Sequence, residues 1–243
     1  MDGFCEEMRS RETELSFAQC DARRKMKLSA MLSLLVSAAG WDYDARGLTY
    51  ERLLSEGKAI LLSRITLAVR RLPENRDVLR VETWENGVRG VHMRRCFRIT
   101  DQAGRPCIDA RSQWVVVEPA SRRILRPTAC DWPIREEERP LDCPDCPRLA
   151  FREEDMEPWG GRHVLFSDLD GNGHLYSGFY GNYVWDALPA DLQTRDLKSF
   201  SITYSHEATL GTEICFFSRR TAAGCDILGK RDGETCFMAQ CGF

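Results

Sequence analysis

The chain reads twice. A short apolar strand, an Asp-containing turn, a helix and a run of strand-like segments follow one another in the first half, and the same order returns in the second. In the first half, residues 15–20 alternate as a strand and Asp21-Ala22-Arg23-Arg24-Lys25 forms the turn. Leu28, Met31, Leu32 and Leu35 then recur at helical spacing over 27–40, with Gly40 as the expected C-cap. A helical turn at 50–54 and strands at 60–69, 78–84, 90–100 and 107–117 follow, parted by Pro- and Gly-containing turns. In the second half, 162–166 reads as a strand and Asp170-Gly171-Asn172-Gly173-His174 as the turn. An aromatic helix runs on to about Leu188, with Pro189 as its stop. Strands are expected at 199–204, 212–218, 225–229 and 235–239. Two gapless matches set the repeat in register: 21–26 on 170–175, and 104–110 on 233–239.

That repeat narrows the fold. One helix followed by successive antiparallel strands is an α+β pattern. A sheet curled around a single helix leaves an open edge and a half-covered helix, and two copies cover both by pairing edge to edge. The expectation is two units, 11–126 and 159–243, each a long central helix wrapped by an antiparallel sheet, joined as an intrachain pseudo-dimer. Residues 127–158, rich in Pro, Glu, Asp and Arg, read as the linker between them.

Composition removes several function classes. A net charge of −3 gives no general attraction for nucleic acid. No apolar run approaches the length of a membrane span. The acidic start, Met1-Asp2-Gly3-Phe4-Cys5-Glu6-Glu7, lacks the pattern of a secretory signal, so a cytoplasmic protein is expected. The 11 cysteines are odd in number and scattered, which suits reduced thiols rather than a disulfide framework. Cys143-Pro144-Asp145-Cys146 has the only C-x-x-C spacing, and no further pair follows to complete a four-ligand metal site. Arginine pairs such as Arg70-Arg71, Arg94-Arg95 and Arg122-Arg123 read as solvated edges, a subset of which could face an acidic partner.

The turn of the second half carries an acid, an amide and an imidazole at alternate positions: Asp170, Asn172 and His174. Turn and cap chemistry is the plain reading of such a loop. A calcium loop needs Glu at its twelfth position, which here is Phe179 or Gly181 depending on the start. The first half keeps only the acid, with Arg23 and Lys25 in place of the amide and imidazole.

These residues resemble those of the acyl-acyl carrier protein thioesterases, tandem hot-dog enzymes of plants and bacteria. Asp170-Gly-Asn172-Gly-His174 resembles the family's D-x-N-x-H signature, and Tyr204-Ser205-His206-Glu207 its Y-x-x-E segment. Lys27 to Leu32, Ser63-Arg64, Arg71-Leu72-Pro73, Glu82-Thr83-Trp84, Arg94 to Ile99 and Ser112 to Val115 resemble its first helix and the strands after it, so the likeness covers about 11–243.

The resemblance implies hydrolysis of fatty acyl-carrier-protein thioesters to free acid, which ends chain elongation. It implies no metal and no cofactor beyond the phosphopantetheine arm on the carrier. The partners would be an acidic acyl carrier protein and a fatty acyl chain, with a homodimer left open. The catalytic group would be Asp170, Asn172, His174 and Glu207, with either carboxylate as base, Asn172 anchoring thioester or water, and His174 donating a proton. The N–H groups near Gly173 and His174 would hold the oxyanion. Plant members carry Cys after the Glu; here the residue is Ala208, so a water mechanism is expected. The degraded first turn implies one site per chain, with the first unit supplying the acyl pocket from candidates Met31, Leu35, Trp41, Trp84 and Trp114. A hydratase or dehydratase on the same tethered chains, and a non-catalytic acyl-binding protein, are the alternatives. His92, His163 and His206 are weaker candidates, and no G-x-S-x-G elbow is present.

Overall fold

The computed structural model describes residues 10–243. In the first half, strand β1 (Ser10–Glu14) precedes helix α1 (Leu28–Ala45), the short helix α2 (Tyr50–Ser55) and strands β2 (Ala59–Val69), β3 (Val78–Arg89), β4 (His92–Asp101), β5 (Pro106–Glu118) and β6 (Arg123–Leu125). In the second half come β7 (Glu157–His163), α3 (Tyr180–Asp186), α4 (Ala190–Gln193), β8 (Ser199–Tyr204), β9 (Glu213–Arg220), β10 (Gly224–Arg231) and β11 (Glu234–Gly242). All the strands join one antiparallel sheet in the order β1-β3-β4-β5-β2-β8-β11-β10-β9-β7, with β6 hairpinned onto β5. Read inward from either edge, the strands follow the same sequence. The two halves meet where β2 pairs with β8, Ile65 opposite Ile202. Among the described residues, no helix is long and apolar enough to cross a membrane.

The core follows from alternation on the strands and 3.6-residue spacing on α1. Leu28, Met31, Leu32 and Leu35 share one buried cluster with Ile65 and Leu67 of β2, Phe97 and Ile99 of β4 and Ile108 and Ala110 of β5. Each fully buried Leu or Ile of this kind contributes about 1.5–3 kcal/mol relative to exposure.

The backbone departs from the sequence expectations in four places. Residues 15–20 do not form a strand. Gln19 folds back on Ser16, its N–H to the Ser16 carbonyl and its side-chain oxygen accepting from the Ser16 N–H, and makes a 3-10 turn of Phe17–Gln19. Likewise 162–166 is only partly strand: β7 lies earlier, and Phe166–Asp168 is again a 3-10 turn. Helix α1 runs past Gly40 because Asp42 and Tyr43 are buried beneath the sheet. It ends instead before Gly47, whose φ of +72° and N–H bond to the Asp44 carbonyl close the last turn.

The fourth departure is the second helix, which is short rather than long and central. Leu175 and Tyr176 are tied in extended form, by N–H bonds to the carbonyls of Ala208 and Asp168, so α3 starts only at Tyr180. Helix α3 packs directly on α1 through Gly181, and Gly178 just before it meets Ser33 of α1. A Cβ on Gly181 would stand 2.5 Å from the Ser29 nitrogen.

The segment between the halves is laid along the sheet. Its first part bonds to the β3 bulge, with Gly87 donating to the Arg135 carbonyl and Glu137 to the Glu85 carbonyl. Further on, Cys143 and Cys146 are buried against β2 and β5, their thiols directed at the carbonyls of Thr66 and Arg111. Burial pushes these thiols up to about 12 and about 11, away from reactive thiolate.

Candidate active site

The second-half turn is organised by its own carboxylate. Asp170 Oδ1 accepts the N–H of Asn172 at 2.8 Å and of His174 at 3.2 Å, while the Asp170 N–H bonds the His174 carbonyl and the Gly173 N–H bonds the Asp170 carbonyl. This is an Asx turn closed into a small ring. The first-half turn has the same bonds. Asp21 Oδ1 accepts from Arg23 at 2.8 Å and from Lys25 at 3.1 Å, Asp21 N–H bonds the Lys25 carbonyl, and Arg24 N–H bonds the Asp21 carbonyl. The register matches further on. Met26 donates to Pro73 as Leu175 does to Ala208, and Cys107 accepts from Arg70 and Arg71 as Cys236 does from Ser205 and His206.

This geometry corrects one sequence expectation. The N–H groups of Gly173 and His174 are already bonded within the ring, and the helix begins six residues after His174, so these donors do not stand free at a helix N-terminus. It also places Asp170 among backbone N–H groups.

The ring presents Asn172 and His174 outward. His174 Nε2 lies 3.4 Å from Glu207 Oε2, both side chains about one-third exposed. Glu207 reaches this point because β8 ends at Tyr204 and the chain bends at His206, where the Ser205 and His206 N–H groups share the Cys236 carbonyl; beyond it the Leu175 N–H bonds the Ala208 carbonyl at 2.7 Å and His174 is bridged to Thr209. His206 points elsewhere, its Nδ1 2.7 Å from the Thr235 carbonyl. The residue after Glu207, Ala208, is fully buried, so its side chain faces the core.

Two residues the sequence reading did not name complete the cluster, and both come from the first half. Tyr50, at the start of α2, donates its hydroxyl to Asn172 Oδ1 at 2.9 Å, which leaves the amide NH2 of Asn172 as a donor. Arg122, in the β5–β6 turn, holds its guanidinium 3.4 Å from Glu207 Oε2. Tyr50 carried one signal, an aromatic at the start of a short helical turn; Arg122 was visible only as half of a basic pair. Below the turn, the Tyr204 hydroxyl donates to the Ser177 carbonyl at 3.0 Å. Burial holds the phenols of Tyr204 and Tyr176 above their ordinary value, so both are neutral.

The counterpart in the first half is closed by charge. Arg23 and Lys25 both bind Asp196, at 3.1 and 2.6 Å, and Arg23 also donates to the Thr194 carbonyl. The position matching Glu207 is Leu72, which is buried.

Family models for the acyl-ACP thioesterase N-terminal domain and C-terminal domain match residues 6–129 and 155–235. The chain belongs to the acyl-ACP thioesterase family. An oleoyl-acyl carrier protein thioesterase 2, chloroplastic, of Arabidopsis thaliana is 28% identical over 161 residues, covering 60% of this chain and 43% of that protein. A chloroplastic palmitoyl-acyl carrier protein thioesterase of the same plant is 27% identical over 209 residues, covering 79% of this chain and 48% of that one. This acyl-ACP thioesterase family member thus spans less than half the length of these relatives. Its fold matches that of an acyl-ACP thioesterase from Bacteroides thetaiotaomicron, with TM-score 0.82 and 22% identity over 99% of this chain and 100% of that one. It also matches the 12:0-ACP thioesterase from Umbellularia californica, with TM-score 0.79 and 18% identity over 96% and 95% of the two chains. The acyl-ACP thioesterase neighbours are of the hot-dog type, and the large antiparallel sheet with few helices is the architecture shared with them.

Proposed function

We propose that this protein hydrolyses fatty acyl-carrier-protein thioesters to free fatty acid and carrier thiol, at a single site built on His174 and Glu207. The observation that carries the reading is the 3.4 Å contact between His174 and Glu207, with Asn172 on the same ring and its amide set by Tyr50. Family membership and relatives named for oleoyl- and palmitoyl-carrier-protein thioesterase activity support the substrate class.

In this mechanism Glu207 takes a proton from water as the water oxygen attacks the thioester carbonyl. The NH2 of Asn172 donates to the carbonyl oxygen, which becomes the oxyanion. When the tetrahedral adduct collapses, the C–S bond breaks and the departing sulfur takes a proton from His174 Nε2, which His174 recovers from Glu207. Water thus supplies OH to the acyl carbon and H to the sulfur, and no thiol nucleophile is needed. Asp170 acts as a positioning residue: its carboxylate sets the ring that aims Asn172 and His174, as Asp21 sets a ring in the half without them.

The same reading treats 11–126 and 159–243 as two tandem hot-dog units of a pseudo-dimer, joined by 127–158. The repeated strand order and the matched turn hydrogen bonds support it. The first unit would hold the acyl chain between α1 and its sheet, where Met31 and Leu35 are buried.

A direct test follows thiol release from acyl-carrier protein. Turnover that Glu207→Gln and His174→Ala each reduce by about 10²–10⁴-fold supports the assignment. New unsaturation or hydration without thiol would point to a hydratase or dehydratase, and no reaction to a binding protein.

A further inference from the structure

The β5–β6 hairpin stands beside the site without a part in the chemistry above. Its sequence, Arg122-Arg123-Ile124-Leu125-Arg126, sets three guanidinium groups within five residues of a chain whose net charge is −3. Arg122 and Arg123 are 78% and 67% exposed, Arg126 is exposed as well, and Ile124 is one of the large apolar side chains left open to solvent. Arg122 adopts the left-handed region with φ +56°, in the turn of the hairpin, and from there its side chain meets Glu207.

Other exposed apolar groups lie on elements that border the same site. Tyr50, on α2, bonds Asn172, with Leu54 one helical turn further on; Leu210 follows Thr209, whose backbone bridges His174. Arginines beside open apolar side chains, next to a reactive centre, form a surface that complements an acidic protein with apolar contacts of its own.

We propose that this hairpin, with Arg122, Arg123 and Arg126 around Ile124, is where an acidic carrier protein docks to bring its acyl thioester to His174 and Glu207. The inference rests on the hydrolase reading for the identity of the partner. The net negative chain repels an acidic protein at long range, so the attraction has to be local, and the hairpin supplies it at the site. The ion pairs it holds in the free protein, Arg123 with Glu118 and Arg122 with Glu207, are exposed, and exposed pairs exchange partners at little cost. A carboxylate of the partner that draws Arg122 away leaves Glu207 facing His174 alone, so docking also prepares the base.

The test compares the full chain with its Arg123→Glu/Arg126→Glu variant, and with Ile124→Asp as a second variant. Two readouts are needed: binding of the acyl-free carrier protein bearing its phosphopantetheine arm, and hydrolysis of one acyl group presented either on the carrier protein or on free pantetheine. The expected result is binding weakened about tenfold or more in both variants, with wild-type binding falling as salt rises and the charge-reversed variant largely losing that dependence. KM for the acyl-carrier protein rises to match, while kcat and hydrolysis of acyl-pantetheine stay unchanged. Equal carrier binding by wild type and both variants overturns the proposal, and so does an equal loss on both substrates. Hairpin-dependent binding without thiol release from either substrate would keep the docking surface and remove the hydrolase reading. Thiol release from both substrates, unaffected by either variant, would do the reverse.

Discussion

The Asp170 carboxylate accepts two backbone N–H bonds, and the Asp21 carboxylate accepts the corresponding two in the half that lacks the amide and the imidazole. On the proposed mechanism Asp170 therefore serves the loop, as Asp21 does. Asp170→Asn keeps an oxygen for both N–H groups and is expected to retain turnover within about tenfold, whereas Asp170→Ala, which loses the ring, loses far more. Turnover measured on the two variants separates this from a base role, in which both would fall alike by about 10²–10⁴-fold. Asp21→Ala is expected to cost about 1–2 kcal/mol of stability, read by urea unfolding, with turnover unchanged. Spacing alone made Asp170, Asn172 and His174 legible as a group, because all three lie within five residues. The resemblance brought in Glu207, more than thirty residues away in sequence. Tyr50 and Arg122 stayed hidden because they meet the site only across the junction of the halves, at a sequence separation of 122 residues in the case of Tyr50.

Among the elements, α1 carries the most weight. Its N-terminal part packs on Gly181 of α3 and on Gly178 before it, close enough that a methyl group at Gly181 meets the α1 backbone. Gly181→Ala is therefore expected to destabilise by about 1–3 kcal/mol, seen as a Tm lower by several degrees. The last turn of α1 holds a buried ionic cluster. Asp42 binds Arg95 at 2.7 Å and Arg46 at 3.3 Å, and Glu85 binds Arg46 at 3.0 Å, with the Arg95 guanidinium over the Tyr43 ring. Burial alone would raise the Asp42 carboxyl, but Arg95 and Arg46 outweigh it and hold the carboxyl below the ordinary value. A carboxylate lowered in the folded state contributes stability that is present above its unfolded value near 4 and is lost as pH falls through the folded one. Urea midpoints should thus hold steady from neutral pH to about 5 and drop below 4. Asp42→Asn, which leaves Glu85 to offset both Arg95 and Arg46, should cost about 3–5 kcal/mol at neutral pH. The sequence periodicity marked where α1 begins but not where it ends, because Gly40 offered an earlier stop and the burial of Asp42 depends on partners from β3 and β4. The aromatic run after His174 looked helical from its start, yet its first residues are held by β-type bonds to Ala208 and Asp168 that local pattern does not encode.

At the scale of the whole molecule, the first gapless match falls on turns whose hydrogen bonds coincide, and the second places Cys107 and Cys236, whose carbonyls accept matching pairs of N–H groups. What the repeat could not convey is how the halves share work. The second half supplies Asn172, His174 and Glu207; the first supplies Tyr50 and Arg122. In the corresponding place on the other side, Arg23 and Lys25 are tied to Asp196. These contacts support the proposal of one reactive site per chain, although the strand order is the same from either edge of the sheet. The most direct measurement counts it: pre-steady-state and steady-state thiol release from a fatty acyl-carrier protein by the full chain, beside Glu207→Gln and Lys25→Ala. The account expects thiol release by the wild-type chain, a loss of about 10²–10⁴-fold for Glu207→Gln, and near-wild-type turnover for Lys25→Ala. Full turnover in Glu207→Gln would contradict it.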